Sequence, residues 1–356
     1  MTGASADWRA RWVGEAPIYA VACLLFAVCA ALLGAYGVPL DIAPILANAQ
    51  LFVLSILAIG VVAAVFELAR AKPDSPISHL TGKLADHKQA MIAGLPLLAL
   101  LVVLMPFFSK MKAAIPLFTE YDWDARFIAW DRALLGGYDA WQILQPVLGY
   151  PIVTAFLGLL YQLWFLLLFV GTLWFAFARA ATSVRRQFFL TYVLSWTVVG
   201  GAMATWLASV GPCFLEPLLG DDRFAAQMAY LENANAEYPV MPLKVQQMLL
   251  DWHYADANGL GSGITAMPSM HVAICVLFWL AARRLSRRLG HAFFVFLVAI
   301  WAGSIHLAYH YAVDGLVSLI AIVALWKLSE AVIAGWDAWL ARRVQPTLRT
   351  NTVPAE

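Results

Sequence analysis

Charged residues are scarce in this sequence. Asp, Glu, Lys and Arg together make up 13% of the chain, whereas hydrophobic residues make up 62%, and the mean hydropathy is +0.75. Because a soluble globular domain contains roughly 25% charged residues, this composition excludes a soluble globule and predicts lipid as the main solvent. The net charge of +1 and the lack of a basic, aromatic-interleaved patch exclude nucleic acid as a partner.

Cysteines and glycosylation sites are few as well. Of the four cysteines, Cys23, Cys29 and Cys275 lie inside apolar runs and Cys213 lies in a loop, so no disulfide framework or CxxC metal motif can be built. NxS and NxT sites are missing away from the carboxyl tail, which fits a bacterial plasma membrane.

Long apolar runs, in contrast, are abundant. A bilayer core needs roughly 20 apolar residues per helix, and such runs occur at about 17–38, 44–66, 91–109, 155–178, 188–210, 267–282, 291–310 and 314–334. The sequence therefore predicts an all-α, polytopic membrane helix bundle with about eight transmembrane helices. The sixth run is the shortest, because Arg283 and Arg284 follow it closely.

The basic residues indicate the orientation of the bundle. Lysines and arginines collect on the cytoplasmic side of short loops, and RRQ at 185–187 and RRLSRR at 283–288 fall on the same side as the amino terminus. This distribution predicts that both termini lie in the cytoplasm. Together with the missing glycosylation sites it fits an integral protein of the bacterial inner membrane, and a eukaryotic Golgi membrane is the alternative.

Two long loops lie on the opposite, outer side, at about 108–150 and 211–266. The stretch YDWDARFIAWDRALLGGYDAWQIL in the first loop mixes aromatic and acidic residues as headgroup-level segments do. In the second loop, Val245, Met248, Leu249 and Trp252 share a helical face. Such helices either roof a site that opens toward lipid or only cover the ends of the spans.

Ionisable residues concentrate at the outer ends of the last three runs. GLGSGITAMPSMHVAICVLFWL opens the sixth run, and GSIHLAYHYAVDGLVSL joins the seventh to the eighth. Because these spans run antiparallel, we expect His271 and His310 to emerge at the same membrane face. Ionisable groups at such positions are functional candidates.

The start of the sixth run has the features of an anion site. The glycines at 259, 261 and 263 permit a tight backbone, Thr265 is available as a helix cap, and Pro268 suits the first helical turn. The free amides around Ser269 and Met270 would then bind a phosphate at the helix amino terminus. His271 would stand beside that phosphate as a proton donor.

Asp314 follows His310 by four residues, the helical spacing at which a carboxylate accepts a hydrogen bond from an imidazole. That bond would leave the second ring nitrogen free for attack. An alternative is a metal site, because His306, His310 and Asp314 are spaced at i, i+4 and i+8. HxxxH alone is a weak signal, and no glutamate follows as in HExxH enzymes.

These motifs resemble those of the type 2 phosphatidic acid phosphatase (PAP2) superfamily, in the branch of inositol phosphorylceramide synthases and their bacterial relatives. AMPSMHVA is similar to the second signature, with PSMH in place of PSGH, and HYAVD is similar to the core of the third, HxxxD. The resemblance is strong over about 259–318. It extends upstream to KAAIP at 112–116, WDARFIAWDRALLGG at 123–137 and YQLWF at 161–165.

The resemblance implies a two-step reaction at the extracytoplasmic face. His310 would attack phosphorus, Asp314 would orient it, and His271 would protonate the departing oxygen. Water in a phosphatase, or an alcohol in a phosphotransferase, would then resolve the phosphohistidine. The implied substrate is a membrane lipid phosphate, and we expect no metal or other cofactor.

The chain departs from the superfamily pattern in its cations. The first signature, KxxxxxxRP, is absent, and Gly303 and Ser304 stand where the third signature opens with serine and arginine. We therefore expect Lys112 to bind the substrate phosphate together with Ser269 and Met270. Lys110 and Arg126 are substitutes for Lys112.

These interpretations divide the chain into three parts. Residues 1–90 form two transmembrane helices and a cytoplasmic loop, residues 91–335 form a PAP2-like catalytic membrane domain, and residues 336–356 form a cytoplasmic tail. The main alternatives are a metal-dependent membrane hydrolase and a lipid transporter or binding protein that keeps the fold without the chemistry.

Overall fold

The computed structural model describes residues 8–178, 182–255, 257, 259 and 261–349. In this part of the chain all regular structure is helical, which confirms the predicted all-α class. The helices are α1 (Trp8–Ala35), α2 (Ala43–Ala71), α3 (Pro76–Ala113), α4 (Ile115–Phe118), α5 (Asp124–Leu134), α6 (Ala140–Leu148), α7 (Pro151–Phe177), α8 (Ser183–Trp206), α9 (Pro212–Leu219), α10 (Ala225–Glu237), α11 (Met241–Tyr254), α12 (Met270–Leu285), α13 (Arg287–His306) and α14 (Ala312–Arg349).

Seven of these helices are long and apolar enough to cross a membrane, so the chain is an integral membrane protein. They are α1, α2, α3, α7, α8, α13 and α14, and they correspond to seven of the eight predicted spans. The remaining predicted span, 267–282, forms α12, which has only 16 residues. At about 1.5 Å per residue, α12 is roughly 24 Å long, shorter than a bilayer core of about 30 Å.

The short helix α12 is the centre of the bundle. It packs against α8, α13 and α14, and every residue from 272 to 278 is buried. A helix that contacts protein on all sides is apolar throughout without facing lipid. Ser286 ends α12 and caps α13 by accepting the Leu289 amide, so a single residue makes the corner between these antiparallel helices.

The amino-terminal helices lie at the edge of the bundle. α1 runs in the same direction as α3, since Trp12 Nε1 donates to the Ala93 carbonyl near one end, and Leu33 packs on Met111 near the other. Asn48 of α2 donates to the carbonyl of Val102 on α3 at 2.8 Å. Most of α2 is exposed, as expected of a helix that faces lipid.

Two spanning helices contain π-helical turns, at Leu167–Gly171 in α7 and at Ser195–Met203 in α8. Such turns insert one extra residue per turn and are frequent at functional sites. The turn in α8 faces the cavity described below, because Trp196 and Gly200 line it.

A buried ionic network joins α1, α8 and α14 at the end of the bundle away from the carboxyl end of α3. Arg185 pairs with Glu15, which also accepts a hydrogen bond from Tyr19, and Arg186 makes a bidentate pair with Asp337. Asp337 belongs to α14. This helix ends at Arg349, so it includes the first part of the segment 336–356, for which the sequence predicts a cytoplasmic tail. The arginines at 185 and 186 therefore have structural partners as well as the position that the charge rule expects.

Candidate active site

The amino terminus of α12 meets the loop between α13 and α14 at one end of the bundle. Ser269 caps α12 through its own hydroxyl, which accepts the Val272 amide at 3.4 Å. The expectation that Thr265 caps this helix and that Pro268 lies in its first turn is wrong, because the helix begins at Met270. The Ser269 hydroxyl is fully buried in this capping role, so its predicted contact with phosphate remains a prediction.

His310 lies in the loop that joins α13 to α14. Its Nδ1 is 3.0 Å from Oδ2 of Asp314, which is in the first turn of α14 and completely buried. The same carboxylate oxygen accepts the Tyr311 amide at 3.1 Å, and the His310 amide donates to the carbonyl of Ser304. The Asp314 contact occupies Nδ1 of the imidazole and the amide bond fixes the backbone of His310, which leaves Nε2 as the ring nitrogen available for attack.

The backbone before His310 is strained. Ala308 has φ +61°, a left-handed conformation that residues with a Cβ rarely adopt, and it directly follows the end of α13. Strain of this kind persists where the surroundings fix the chain, and it clusters at functional sites. Here the Ala308 carbonyl accepts the amide of Cys213, a contact across the site.

His271 lies in the first turn of α12 between two aromatic rings. Its ring stacks on Tyr161 with a centroid distance of 4.1 Å and packs against Trp164 at 4.2 Å. Trp164 Nε1 also donates to the His271 carbonyl, and Tyr309 stacks on the far side of Tyr161. His271 Nε2 is buried without a hydrogen-bond partner within the protein. A fixed ring with an unpartnered nitrogen is suited to exchange a proton with a ligand.

The segment 209–213 joins the loop before α12 to the loop that carries His310. Ser209 accepts the amides of Ala266 and Met267 through its carbonyl and hydroxyl, respectively. Gly211 has φ +87°, and a Cβ there would lie 2.7 Å from the Tyr309 carbonyl oxygen. Only glycine fits at this crossing, because the backbone is both left-handed and in contact with the next loop.

Two aspartates of α5 fix the same loops, and sequence reasoning did not single them out. Asp124 accepts the amides of Val210 and Gly211 at 2.9 Å each and the hydroxyl of Tyr311 at 2.7 Å. Burial raises the pKa of the Asp124 carboxyl, and these hydrogen bonds counteract the shift. Asp124 thereby connects the segment 209–213 to the residue after His310.

Asp131 lies two turns further along α5 and caps α14 from outside the helix. Its carboxylate accepts the amides of Ala312 at 2.7 Å and Val313 at 2.9 Å. Burial raises the pKa of this carboxyl, while the two amides lower it. The signal in the sequence was the spacing of two acids seven residues apart in an aromatic stretch, which puts both on one helical face. Their backbone partners have no signature in the sequence.

Lys112 is the predicted cation that reaches the site. It lies in the last turn of α3, its Nζ is 3.4 Å from the Gly261 carbonyl, and its side chain lines the cavity with both histidines. Gly263 permits this approach, since a Cβ there would lie 2.6 Å from the Ala113 amide nitrogen. Of the two substitutes, Lys110 pairs with Asp41 and Arg126 lies over the ring of Trp123.

These groups surround a cavity of about 370 Å³. Lys112, His271 and His310 contribute polar groups to its lining, and most of the other lining side chains are aromatic or aliphatic. The four residues predicted to share a face of one outer helix all contact it, which confirms that α11 roofs the site: Val245, Met248, Leu249 and Trp252. A largely apolar cavity with a few convergent polar groups is the usual form of a site for an amphipathic ligand.

The three residues proposed for the alternative metal site do not form one cluster, because His310 and Asp314 contact each other and His306 has another partner. His306 is the last residue of α13, whereas His310 lies in the loop, so no single helix presents both. His306 Nε2 is 2.9 Å from the Thr154 hydroxyl, which also contacts the hydroxyl of Tyr230. Among the described residues, no group of three or more His, Cys, Asp or Glu side chains is arranged to hold a metal ion.

The arrangement supplies what substitution at phosphorus requires. His310 offers a nucleophile oriented by a carboxylate, and His271 offers a proton donor across the same cavity. Lys112 and the free amides in the first turn of α12 can balance the charge that spreads over the phosphoryl oxygens.

Comparison with protein families agrees with this assignment. A family model described as the PAP2 superfamily matches residues 125–328, more than half of the chain, and this range contains His271, His310 and Asp314. Searches of curated proteins and of solved structures gave no match.

Proposed function

The chain belongs to the PAP2 superfamily, and we propose that it is a lipid-phosphate phosphatase or phosphotransferase that works through a phosphohistidine. Members of this superfamily are generally phosphatases or phosphotransferases. The observation that carries the proposal is the 3.0 Å contact between His310 Nδ1 and Asp314 Oδ2 beside a cavity that His271 also lines.

In the first step, the lone pair on His310 Nε2 forms a bond to phosphorus while the bond from phosphorus to the ester oxygen breaks. Asp314 stabilises the positive charge that develops on the imidazole, as the acid of a catalytic triad does. His271 gives its proton to the departing oxygen, and proton transfer of this kind is typically worth about 10² to 10⁴ in rate. The lipid leaves as a neutral alcohol.

In the second step, an oxygen nucleophile attacks the phosphohistidine and the nitrogen–phosphorus bond breaks. His271, now neutral, takes the proton from the attacking hydroxyl and returns to its starting form. If water attacks, the product is inorganic phosphate. If an alcohol attacks, the product is a new phosphate ester, as in the inositol phosphorylceramide synthases that the motifs resemble.

Charge neutralisation rests on few groups. Lys112, Met270 and His271 line the cavity, and we expect the free amides at the amino terminus of α12 to bind the phosphate, whereas Ser269 supports that turn as its cap. We further propose that this end of the bundle faces the exterior or periplasm, because the arginines of RRQ at 185–187 and RRLSRR at 283–288 would otherwise face outward.

The decisive experiment measures phosphate release and phosphoryl transfer on a panel of lipid phosphates, with EDTA present. We expect wild-type activity to resist EDTA and His310→Ala to lose at least about 10³-fold, since removing a nucleophile is among the costliest changes to an active site. His253→Ala is the matched control, because His253 lies on the exposed side of the roof helix α11. Full activity in His310→Ala, or loss of wild-type activity with EDTA, would refute the proposal.

The product distinguishes the two reaction types. We expect a labelled, acid-labile phosphoryl group to be trapped on wild-type protein and on His271→Ala, but never on His310→Ala. Adding an alcohol acceptor should then divert label from inorganic phosphate into a new ester if the protein is a transferase. Release of phosphate alone would identify a phosphatase.

A further inference from the structure

The cavity lined by Lys112, His271 and His310 is called the catalytic cavity below. We propose that a second cavity, between α1, α3 and α8, holds the hydrocarbon chain of the phosphorylated lipid whose headgroup occupies the catalytic cavity. This inference rests on the proposed function and adds to it a subsite for the lipid tail. The second cavity has a volume of about 320 Å³ and is called the tail pocket below.

Three helices form the tail pocket, and its walls are apolar. Leu25 and Leu32 come from α1, Leu104 and Phe107 from α3, and Gly201 and Trp206 from the carboxyl-terminal part of α8. The lining contains no charged side chain. Its size is within the range of ligand pockets, about 300 to 1,000 Å³.

The tail pocket adjoins the catalytic cavity. Phe108 and Trp196 line both spaces, and their rings meet edge to face with a centroid distance of 4.6 Å. A Cβ on Gly200 would lie 2.6 Å from the ring of Phe108, so the ring rests directly on the backbone of α8. The two cavities are therefore neighbours that share these two aromatic side chains as part of their walls.

The depth of the tail pocket matches that of a lipid in the same leaflet. Its residues lie in the last turns of α1, α3 and α8, and Lys112 lies at the end of α3 beside the two histidines. A lipid with its phosphate at Lys112 would extend its chain down the bundle from that end. The tail pocket begins there.

A third cavity shows that volume alone does not identify the subsite. This comparison pocket, between α7, α12 and α13, is larger, at about 580 Å³, and it is also apolar. It shares no lining residue with the catalytic cavity, and it reaches Leu285 and Leu289 at the opposite end of α12. It therefore lacks the shared wall that joins the tail pocket to the catalytic cavity.

The tail pocket serves to position the lipid, and it does not draw binding free energy from moving the chain out of water. A lipid chain is already in an apolar solvent in the bilayer, so the tail pocket gains little hydrophobic free energy by binding it. What the pocket adds is a fixed place for the phosphate relative to His310, and misplacement by about 1 Å can cost around 10²-fold in rate. Two of its three walls, α1 and α3, lie outside the residues 125–328 that the family model matches.

Photolabelling tests the proposal without needing turnover. Full-length His310→Ala protein in nanodiscs is labelled with hexadecyl phosphate that carries a diazirine near the chain end. Hexadecanol with the same diazirine is the second arm, because it reports any lipid that merely surrounds the bundle. We expect the phosphate probe, and not the alcohol, to label residues 25–32 of α1 or residues 197–206 of α8.

Two variants fill the tail pocket from opposite walls. Gly201→Leu adds a side chain from α8, at a position where a Cβ would meet only the Trp196 carbonyl, at 3.8 Å. Val28→Trp enlarges a side chain on the opposite wall, in α1. Ala292→Leu fills the comparison pocket as a matched control. We expect either filling variant to abolish the phosphate-dependent label and the control to retain it. Equal labelling by both probes, label confined to the comparison pocket, or label unchanged by both filling variants would overturn the proposal.

Turnover separates this proposal from the proposed function. In protein with His310 intact, the filling variants should lower kcat/KM for hexadecyl phosphate by about tenfold to a hundredfold, and leave butyl phosphate hydrolysis unchanged. Equal losses on both substrates would contradict a tail subsite. If wild-type protein hydrolyses neither, the proposed function fails on these esters, while the labelling result still decides whether the pocket binds a chain.

Discussion

The two ends of the helix bundle both contain buried charged groups, but they use them differently. At the site, the carboxylates of Asp124, Asp131 and Asp314 accept backbone amides and thereby fix loops. At the opposite end, Glu15 and Asp337 pair with arginine side chains and thereby fix helices. Charges that bond to loop backbone position reactive groups, whereas charges that bond to each other across helices hold the bundle together.

The sharpest test of this difference is Asp314→Asn. The change keeps the shape of the side chain but lets it donate toward His310 Nδ1, which stabilises the wrong tautomer. We expect turnover to fall about 10³- to 10⁴-fold, as in other carboxylate–imidazole pairs, while the unfolding midpoint stays close to wild type. Turnover within tenfold of wild type would show that Asp314 does not orient a nucleophile.

Glu15→Ala should lower the stability and leave the turnover unchanged, the opposite of Asp314→Asn. It leaves Arg185 buried without its counter-ion, and breaking a buried pair in this way costs about 3 to 5 kcal/mol in the free energy of unfolding. Turnover per folded molecule should not change. Chemical unfolding in mixed micelles measures the first quantity, and the double variant Glu15→Gln with Arg185→Gln should recover part of the loss. A stable but inactive Glu15→Ala protein would erase the contrast between the two ends.

Asp131→Ala should lower both the stability and the turnover, each by less than the two variants above. Loss of the carboxylate that caps α14 should cost about 0.5 to 2 kcal/mol of stability, and turnover should also fall because that helix carries Asp314. Asp139→Ala is the control, since Asp139 caps α6 through a capping box with Gln142. If both variants lose stability and turnover in the same proportion, Asp131 has no special role in positioning the site.

Asp337→Asn should have the smallest effect. Its partner Arg186 is buried, but the Asp337 side chain is 51% exposed, so water and salt screen the pair. We expect a loss of about 0.2 to 1 kcal/mol, which high salt would reduce further. A thermal unfolding series at two salt concentrations measures it. A loss as large as that of Glu15→Ala would mean that exposure does not decide which pairs matter here.

The predictions that depend on local spacing agree with the structure best. Seven spans, the contact between His310 and Asp314, and the face of α11 that lines the cavity all follow from residues close together in the chain. Local capping was harder to predict, because Thr265 and Ser269 are both good cap residues and only Ser269 directly precedes the helix. The i, i+4 spacing of His306 and His310 does not place them on one helix, because the chain turns after His306.

The contacts that sequence reasoning missed join distant parts of the chain. Asp124 and Asp131 bond to backbone amides, and every residue except proline has such an amide, so nothing in the partner sequence identifies the contact. The stacking of Tyr161 on His271 is similar, since an aromatic residue in a membrane helix is usually explained by lipid contact. The YQLWF stretch at 161–165 resembles the family in sequence, but that resemblance does not predict its packing on His271.

By itself, the sequence determined the membrane class, the helical fold and the pair of motifs that we propose to carry the chemistry, because hydropathy and spacing are local properties. Only the tertiary structure decided that α12 is a short, buried central helix, that two aspartates of α5 bond to the backbone at Gly211 and Val313, and that an apolar pocket adjoins the cavity. These features depend on which surfaces meet when the helices pack. Packing brings together groups that the sequence keeps far apart.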